Sequence, residues 1–127
     1  MDEKALADYL ANKPEAELEY PFGPDAKVYK VAGKMFALLY SQQGSARVNL
    51  KCNPEQAQQL RDVFDGVVPG YHMNKRHWNT VIMGQDVPAA EVQRMIDHSY
   101  GLVISGLPKA KRRHFETCYA PEQLYCD

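Results

Sequence analysis

The sequence predicts an α+β domain of two layers, an antiparallel sheet with its helices on one face. Two observations lead to that class. Strand-like runs come in a group of three, "KVYKV", "KMFALLY" and "ARVNLKC", and then a group of two, "GVVPGYHM" and "HWNTVIM". Helical segments precede, separate and follow these groups, so the expected order is α-β-β-β-α-β-β-α plus a short C-terminal helix or tail. Consecutive strands with short connections pair antiparallel, and helices gathered on one face complete two layers.

Each element has its own local reason. Asp2 caps a first helix that carries Ala5, Leu6, Tyr9 and Leu10 on one side and ends before Pro14. The first two strands meet at the Ala32-Gly33 turn. In the third, Val48, Leu50 and Cys52 alternate with Arg47, Asn49 and Lys51, so one face meets a core. A helix follows over 53–65, with Asn53 as N-cap, Pro54 at the first helical position, Gly66 at its close and an apolar stripe of Leu60, Val63 and Phe64. Pro69 marks the next strand as an edge or irregular one. The last strand carries Trp78, Thr80 and Ile82 on one side, and sharing that side with Ile82 predicts burial of Trp78. Asp86 precedes a long helix over 88–105, marked by Val92, Met95, Ile96, Ser99 and Val103. Gly106-Leu107-Pro108 ends it. Beyond the domain at 1–113, residues 114–127 form an extension that begins in the basic "KAKRRHFE" and trails off through loosely held residues.

Length and composition fit one ordinary globular domain of 127 residues, 45% hydrophobic and 24% charged. No apolar run reaches the roughly 20 residues of a membrane span, and the acidic N-terminus does not read as a leader. These features predict a cytoplasmic protein. Cys52, Cys118 and Cys126 are odd in number and lack CxxC spacing, as expected of free thiols. The net charge is −1, but its distribution is uneven. Residues 1–26 hold seven acids against Lys4 and Lys13, whereas 27–52 hold Lys27, Lys30, Lys34, Arg47 and Lys51 with no acid. A nearly neutral chain can therefore present a basic face.

The densest chemistry lies in "GYHMNKRHWNTV". Asn74, Lys75, Arg76 and His77 sit at a strand connection, where Lys75 and Arg76 project together and can face phosphates. His72 and His77 have no third ligand nearby, so no metal is expected. Nucleophile motifs and phosphate loops are absent, so neither a catalytic residue nor a cofactor is expected and the chain is read as a non-enzyme.

"LKCNPEQAQQLR", "PGYHMNKRHWNTV" and "HSYGLVISGLPK" together resemble the successive signatures of the MmcQ/YjbR family. The resemblance covers roughly residues 3–113, and its matching positions are Lys51, Asn74, Lys75, His77, Trp78, Ser99 and Tyr100. It implies a small bacterial cytoplasmic protein with a CyaY/frataxin-like or secretion-chaperone-like fold, described as a DNA-binding double wing. The expected function is therefore DNA binding of low sequence preference, with backbone phosphates held by Lys27, Lys30, Lys34, Arg47 and Lys51 and by the Asn74–His77 turn. The alternative is a protein-interaction or chaperone-like module using the sheet face. A continuous positive stripe favours DNA, an apolar patch on the sheet favours the protein partner, and a deep pocket near His77 and Ser99 would favour an enzyme.

Overall fold

The computed structural model describes residues 1–125. Helix α1 (Glu3–Ala11) is capped by Asp2, whose carboxylate accepts from the Ala5 N–H at 2.8 Å. It buries Leu6 and Leu10. Strands β1 (Glu17–Glu19), β2 (Lys27–Val31), β3 (Lys34–Gln42) and β4 (Ser45–Lys51) follow, then α2 (Pro54–Val63), β5 (Val67–Pro69), β6 (Trp78–Ile82) and α3 (Ala89–Ser105). Helices α4 (Lys109–Cys118) and α5 (Pro121–Leu124) complete the described chain.

One sheet contains all six strands in the order β1-β2-β3-β4-β6-β5, and every pairing is antiparallel. Both central hairpins turn on two residues of positive φ, Ala32-Gly33 at 50° and 78° and Gln43-Gly44 at 53° and 78°, the backbone such turns demand. The predicted class holds, with one strand added. β1 lies in the acidic segment, whose local propensity for strand is low. Pairing with β2 supplies it, aided by the Lys30–Glu19 ion pair at 3.1 Å.

Register defines the two faces of the sheet. Leu39, Val48 and Val81 are linked rung by rung, as are Ala37, Leu50 and Asn79. These residues face the core with Leu6, Leu10, Ala57, Leu60, Ile96 and Tyr100 from α1, α2 and α3. A bulge between Tyr29 and Lys30 leaves Phe36 as the extra residue of β3. Phe36 is buried and meets Tyr100 edge-on, with ring centroids 5.4 Å apart.

Several local expectations are corrected. Trp78 is only partly buried. It does share its face with Ile82, but that is the face turned away from the helices. On α2, Val63 is 69% exposed and Phe64 forms the C-cap. Gly66 instead abuts the Asp86 carboxylate, which accepts from the Asp65 and Gly66 N–H groups at 2.8 and 2.7 Å. Asp86 therefore ties the end of α2, while Pro88 occupies the N-cap of α3. The strand expected over "GVVPGYHM" stops at Pro69. The C-terminal extension is not loose as far as it is described, because Phe115 and Leu124 are buried in the same core cluster. Cys126 lies outside the described residues.

Candidate binding face

The face without helices is built by the alternate residues of three central strands. Leu38, Tyr40 and Gln42 come from β3, Arg47, Asn49 and Lys51 from β4, and Trp78, Thr80 and Ile82 from β6. None of these nine is acidic. A buried polar network holds its centre. Asn49 Oδ1 accepts from the Tyr40 hydroxyl at 3.0 Å and from Thr80 Oγ1 at 2.7 Å. Burial is the main cause pushing the Tyr40 hydroxyl above the ordinary tyrosine pKa.

The loop between β5 and β6 folds back over this face. Its Tyr71 donates N–H to Thr80 Oγ1 at 2.9 Å, and its carbonyl accepts from Asn49 Nδ2 at 3.0 Å. The Tyr71 ring stacks on Tyr40 with centroids 6.3 Å apart. His72 is then held at φ 58°, a left-handed conformation, with its ring 4.0 Å from that of Tyr71. Gly70 makes this path possible. A Cβ there would lie 2.7 Å from Trp78 Cβ and 2.9 Å from the Trp78 carbonyl oxygen.

Between this loop and the one carrying Phe22 lies a cavity of about 320 Å³. Its walls are Phe22, Ala26, Leu38, Tyr40, Tyr71 and Met73, with Asn49 and His72 as its polar members. Phe22 is 70% exposed. The volume lies at the lower end of the range for ligand pockets, and the site can take a single ring or branched apolar group.

The predicted phosphate contacts do not form one stripe. Lys27 pairs with Leu39 and so belongs to the core-facing register, opposite Lys30, Arg47 and Lys51. Lys30 is engaged by Glu19, and Lys34 stands at the exposed β2–β3 turn. Arg47 and Lys51 lie four residues apart along β4 on the outer face. In the turn, Asn74 Oδ1 accepts from the Arg76 N–H at 3.0 Å. Lys75 does not project beside Arg76; its ammonium folds back to the Gly70 carbonyl at 3.2 Å. His77 is exposed, and its carbonyl accepts from the Cys52 N–H at 2.7 Å. Arg61, missed by sequence reasoning, donates to the Lys75 carbonyl at 2.8 Å. Arg61, Lys75 and Arg76 share an open cleft with Asp65 between α2 and β5.

Ser99 and Tyr100 take structural positions. The β3–β4 ladder ends at Ala37 and Leu50, and Ser99 bridges the next position. Its hydroxyl donates to the Phe36 carbonyl at 2.6 Å and accepts from the Lys51 N–H at 2.9 Å. Tyr100 donates to the Pro14 carbonyl at 2.8 Å. Both are fully buried. Among the described residues, no group of three or more His, Cys, Asp or Glu is placed to hold a metal ion. No described helix is long and apolar enough to cross a membrane.

These features define a small α+β domain with one sheet face left free of helices. The chain belongs to the YjbR family, whose model, described as YjbR, matches residues 11–102. It is 37% identical over 100 residues to the uncharacterized protein YbdF of Escherichia coli O157:H7, covering 79% of this chain and 82% of that one. With the uncharacterized protein YjbR of Escherichia coli K12 it shares 33% identity over 108 residues, 85% of this chain and 92% of the relative. A Deinococcus radiodurans crystal structure superposes with a TM-score of 0.80 at 33% identity, covering 87% of this chain and 85% of that one. A Pseudomonas syringae crystal structure gives 0.71 at 29%, covering 80% and 98%.

Proposed function

We propose that the chain is a non-enzymatic binding module that receives an apolar group of a protein partner on the outer sheet face. The observation that carries this reading is the 320 Å³ apolar cavity between the Phe22 and Tyr71 loops. The sheet edges favour docking by the face rather than by strand addition. β1 is short and acidic, and β5 carries Pro69, both features that discourage another strand from pairing. The test is saturation transfer from the protein to N-acetylphenylalaninamide, a neutral probe. Leu38→Gln should weaken the probe by roughly fivefold, as loss of about 1 kcal/mol of apolar burial implies. An unchanged affinity would refute the cavity as the site.

DNA binding is the second reading, favoured by the family resemblance and by Arg61, Lys75 and Arg76 around one cleft. The pairing of Lys30, the position of Lys27 and the inward turn of Lys75 reduce the positive surface this reading needs. Its test is a salt titration of duplex binding. The Lys75→Ala, Arg76→Ala double variant should lower the slope of log K against log salt by about 0.9 for each phosphate that is no longer neutralised. Binding that does not depend on salt would remove this reading.

A further inference from the structure

The chemistry of the outer face specifies its occupant further than an apolar cavity alone. We infer that the cavity receives an aromatic side chain of a partner segment whose neighbouring residues are acidic, with Arg47 and Lys51 meeting the carboxylates. This inference rests on the outer-face reading above.

The ring follows from the walls. Tyr40, Tyr71 and Phe22 line the cavity with aromatic surface, and Met73 adds a polarizable thioether, partners that favour a ring over an aliphatic chain. The charge follows from β4. Arg47, Asn49 and Lys51 alternate onto one face, so Asn49 in the cavity is flanked by a cation on either side. The two cations are separated by four residues, roughly 13 Å along a strand. Arg47 Nε is buried with no hydrogen-bond partner, although its Nη2 reaches Gln43 Oε1 at 3.5 Å. That long bond leaves the outer guanidinium nitrogens of Arg47, not its buried Nε, as the donors a carboxylate on this face can meet. Lys51 pairs with Trp78 across the β4–β6 ladder, which places it on the outer register. Carboxylates on this side come from the β1 edge, where Glu17 lies opposite Lys30 in the ladder and Glu19 is paired with it.

A nucleobase flanked by phosphates carries the same pattern of charge, but the cavity suits it less. Bases bring polar edges that need partners. Of the cavity's two polar members, Asn49 already has its oxygen engaged by Tyr40 and Thr80 and its amide by the Tyr71 carbonyl, which leaves His72 alone to meet the several polar edges of a base. An acidic peptide carrying phenylalanine places only hydrocarbon in the cavity.

The experiment is an NMR titration of the 15N-labelled protein with four synthetic peptides. The first has a central phenylalanine with two glutamates on each side. The others replace the phenylalanine by alanine, the glutamates by glutamines, or the glutamates by lysines. The first should bind with shifts at Leu38, Tyr40, Asn49 and Tyr71, and the alanine peptide should lose about tenfold or more in affinity. Glutamine flanks should cost roughly three- to tenfold, as two exposed ion pairs would, and lysine flanks more. The Arg47→Gln, Lys51→Gln variant should bind the acidic and glutamine peptides alike. Arg47→Glu, Lys51→Glu should reverse the order in favour of lysine flanks. Equal binding of acidic and glutamine peptides to the wild type would overturn the inference while leaving the neutral-probe result, and the reading it supports, intact. Absence of binding by the acidic peptide would overturn it as well. Displacement of that peptide by a single-stranded thymidine octamer that binds more tightly would assign the face to nucleic acid instead.

Discussion

Ser99→Ala isolates what a residue shared with the family motif does here. The substitution removes one oxygen from a site with no solvent exposure. Two backbone groups lose their partner, the Phe36 carbonyl at 2.6 Å and the Lys51 N–H at 2.9 Å. A buried polar group left unpaired costs about 1–3 kcal/mol. Two such groups, eased by some backbone relaxation, should cost about 2–4 kcal/mol. With a urea m-value near 2 kcal/mol/M, the midpoint should fall by roughly 1–2 M at unchanged slope. Ser105→Ala is the control, since that exposed hydroxyl bonds only to the Leu102 carbonyl at 3.1 Å and should change stability by less than about 0.5 kcal/mol. Hydrogen exchange at the Lys51 amide should also accelerate in Ser99→Ala. A loss below about 1 kcal/mol with normal Lys51 protection would refute the structural role, and weakened ligand binding at full stability would make Ser99 functional.

Three further outcomes are expected. Gly70→Ala should destabilise by about 1–3 kcal/mol, because the new methyl meets Trp78 backbone that cannot swing aside; thermal unfolding measures it, and a neutral result would contradict the close approach. Trp78→Ala should cost about 1–2 kcal/mol, less than the 3–5 of a core truncation, since the ring lies on the partly open face; a core-sized loss in urea unfolding would put it back in the interior. Hydrogen bonds first from Gly66 N–H and then from Asp65 N–H hold the Asp86 carboxyl below its ordinary pKa. A depressed folded pKa stabilises above the unfolded value and loses that contribution as pH falls through the folded one. Asp86→Asn should therefore be less stable than wild type at pH 7, with the gap closing below about pH 4; a gap that stays constant to pH 2 would contradict the assignment.

The hairpins, α2 and α3 were legible because their signals are local: capping at Asn53, a turn at Ala32-Gly33, period-two alternation in β4. Trp78 shows where such reasoning stops. Alternation correctly grouped it with Thr80 and Ile82, but it cannot say which of two faces meets the helices. Pairing of Val48 with Val81 decides that, and it is a contact between distant segments. β1 was illegible because three residues, two of them glutamates, become a strand only beside β2. The folding back of Lys75 depends on the path of the loop through Gly70, which no residue pattern encodes. The cavity did leave a trace. β3 is apolar on both faces, with Ala37 and Leu39 on one and Leu38 and Tyr40 on the other. A strand beside a single layer of helices has no need of the second set, and "YPFGP" places an aromatic residue where a turn would expose it. Together those two features mark an outer face more apolar than a solvated one requires.

The central claim is that the helix-free face takes an apolar group, and mapping the neutral probe tests it most directly. The 15N chemical-shift changes produced by N-acetylphenylalaninamide should cluster on Leu38, Tyr40, Asn49, Tyr71, His72 and Met73, with Arg61, Lys75 and Arg76 left unmoved. Changes centred on the α2–β5 cleft, or scattered without saturation, would contradict the account.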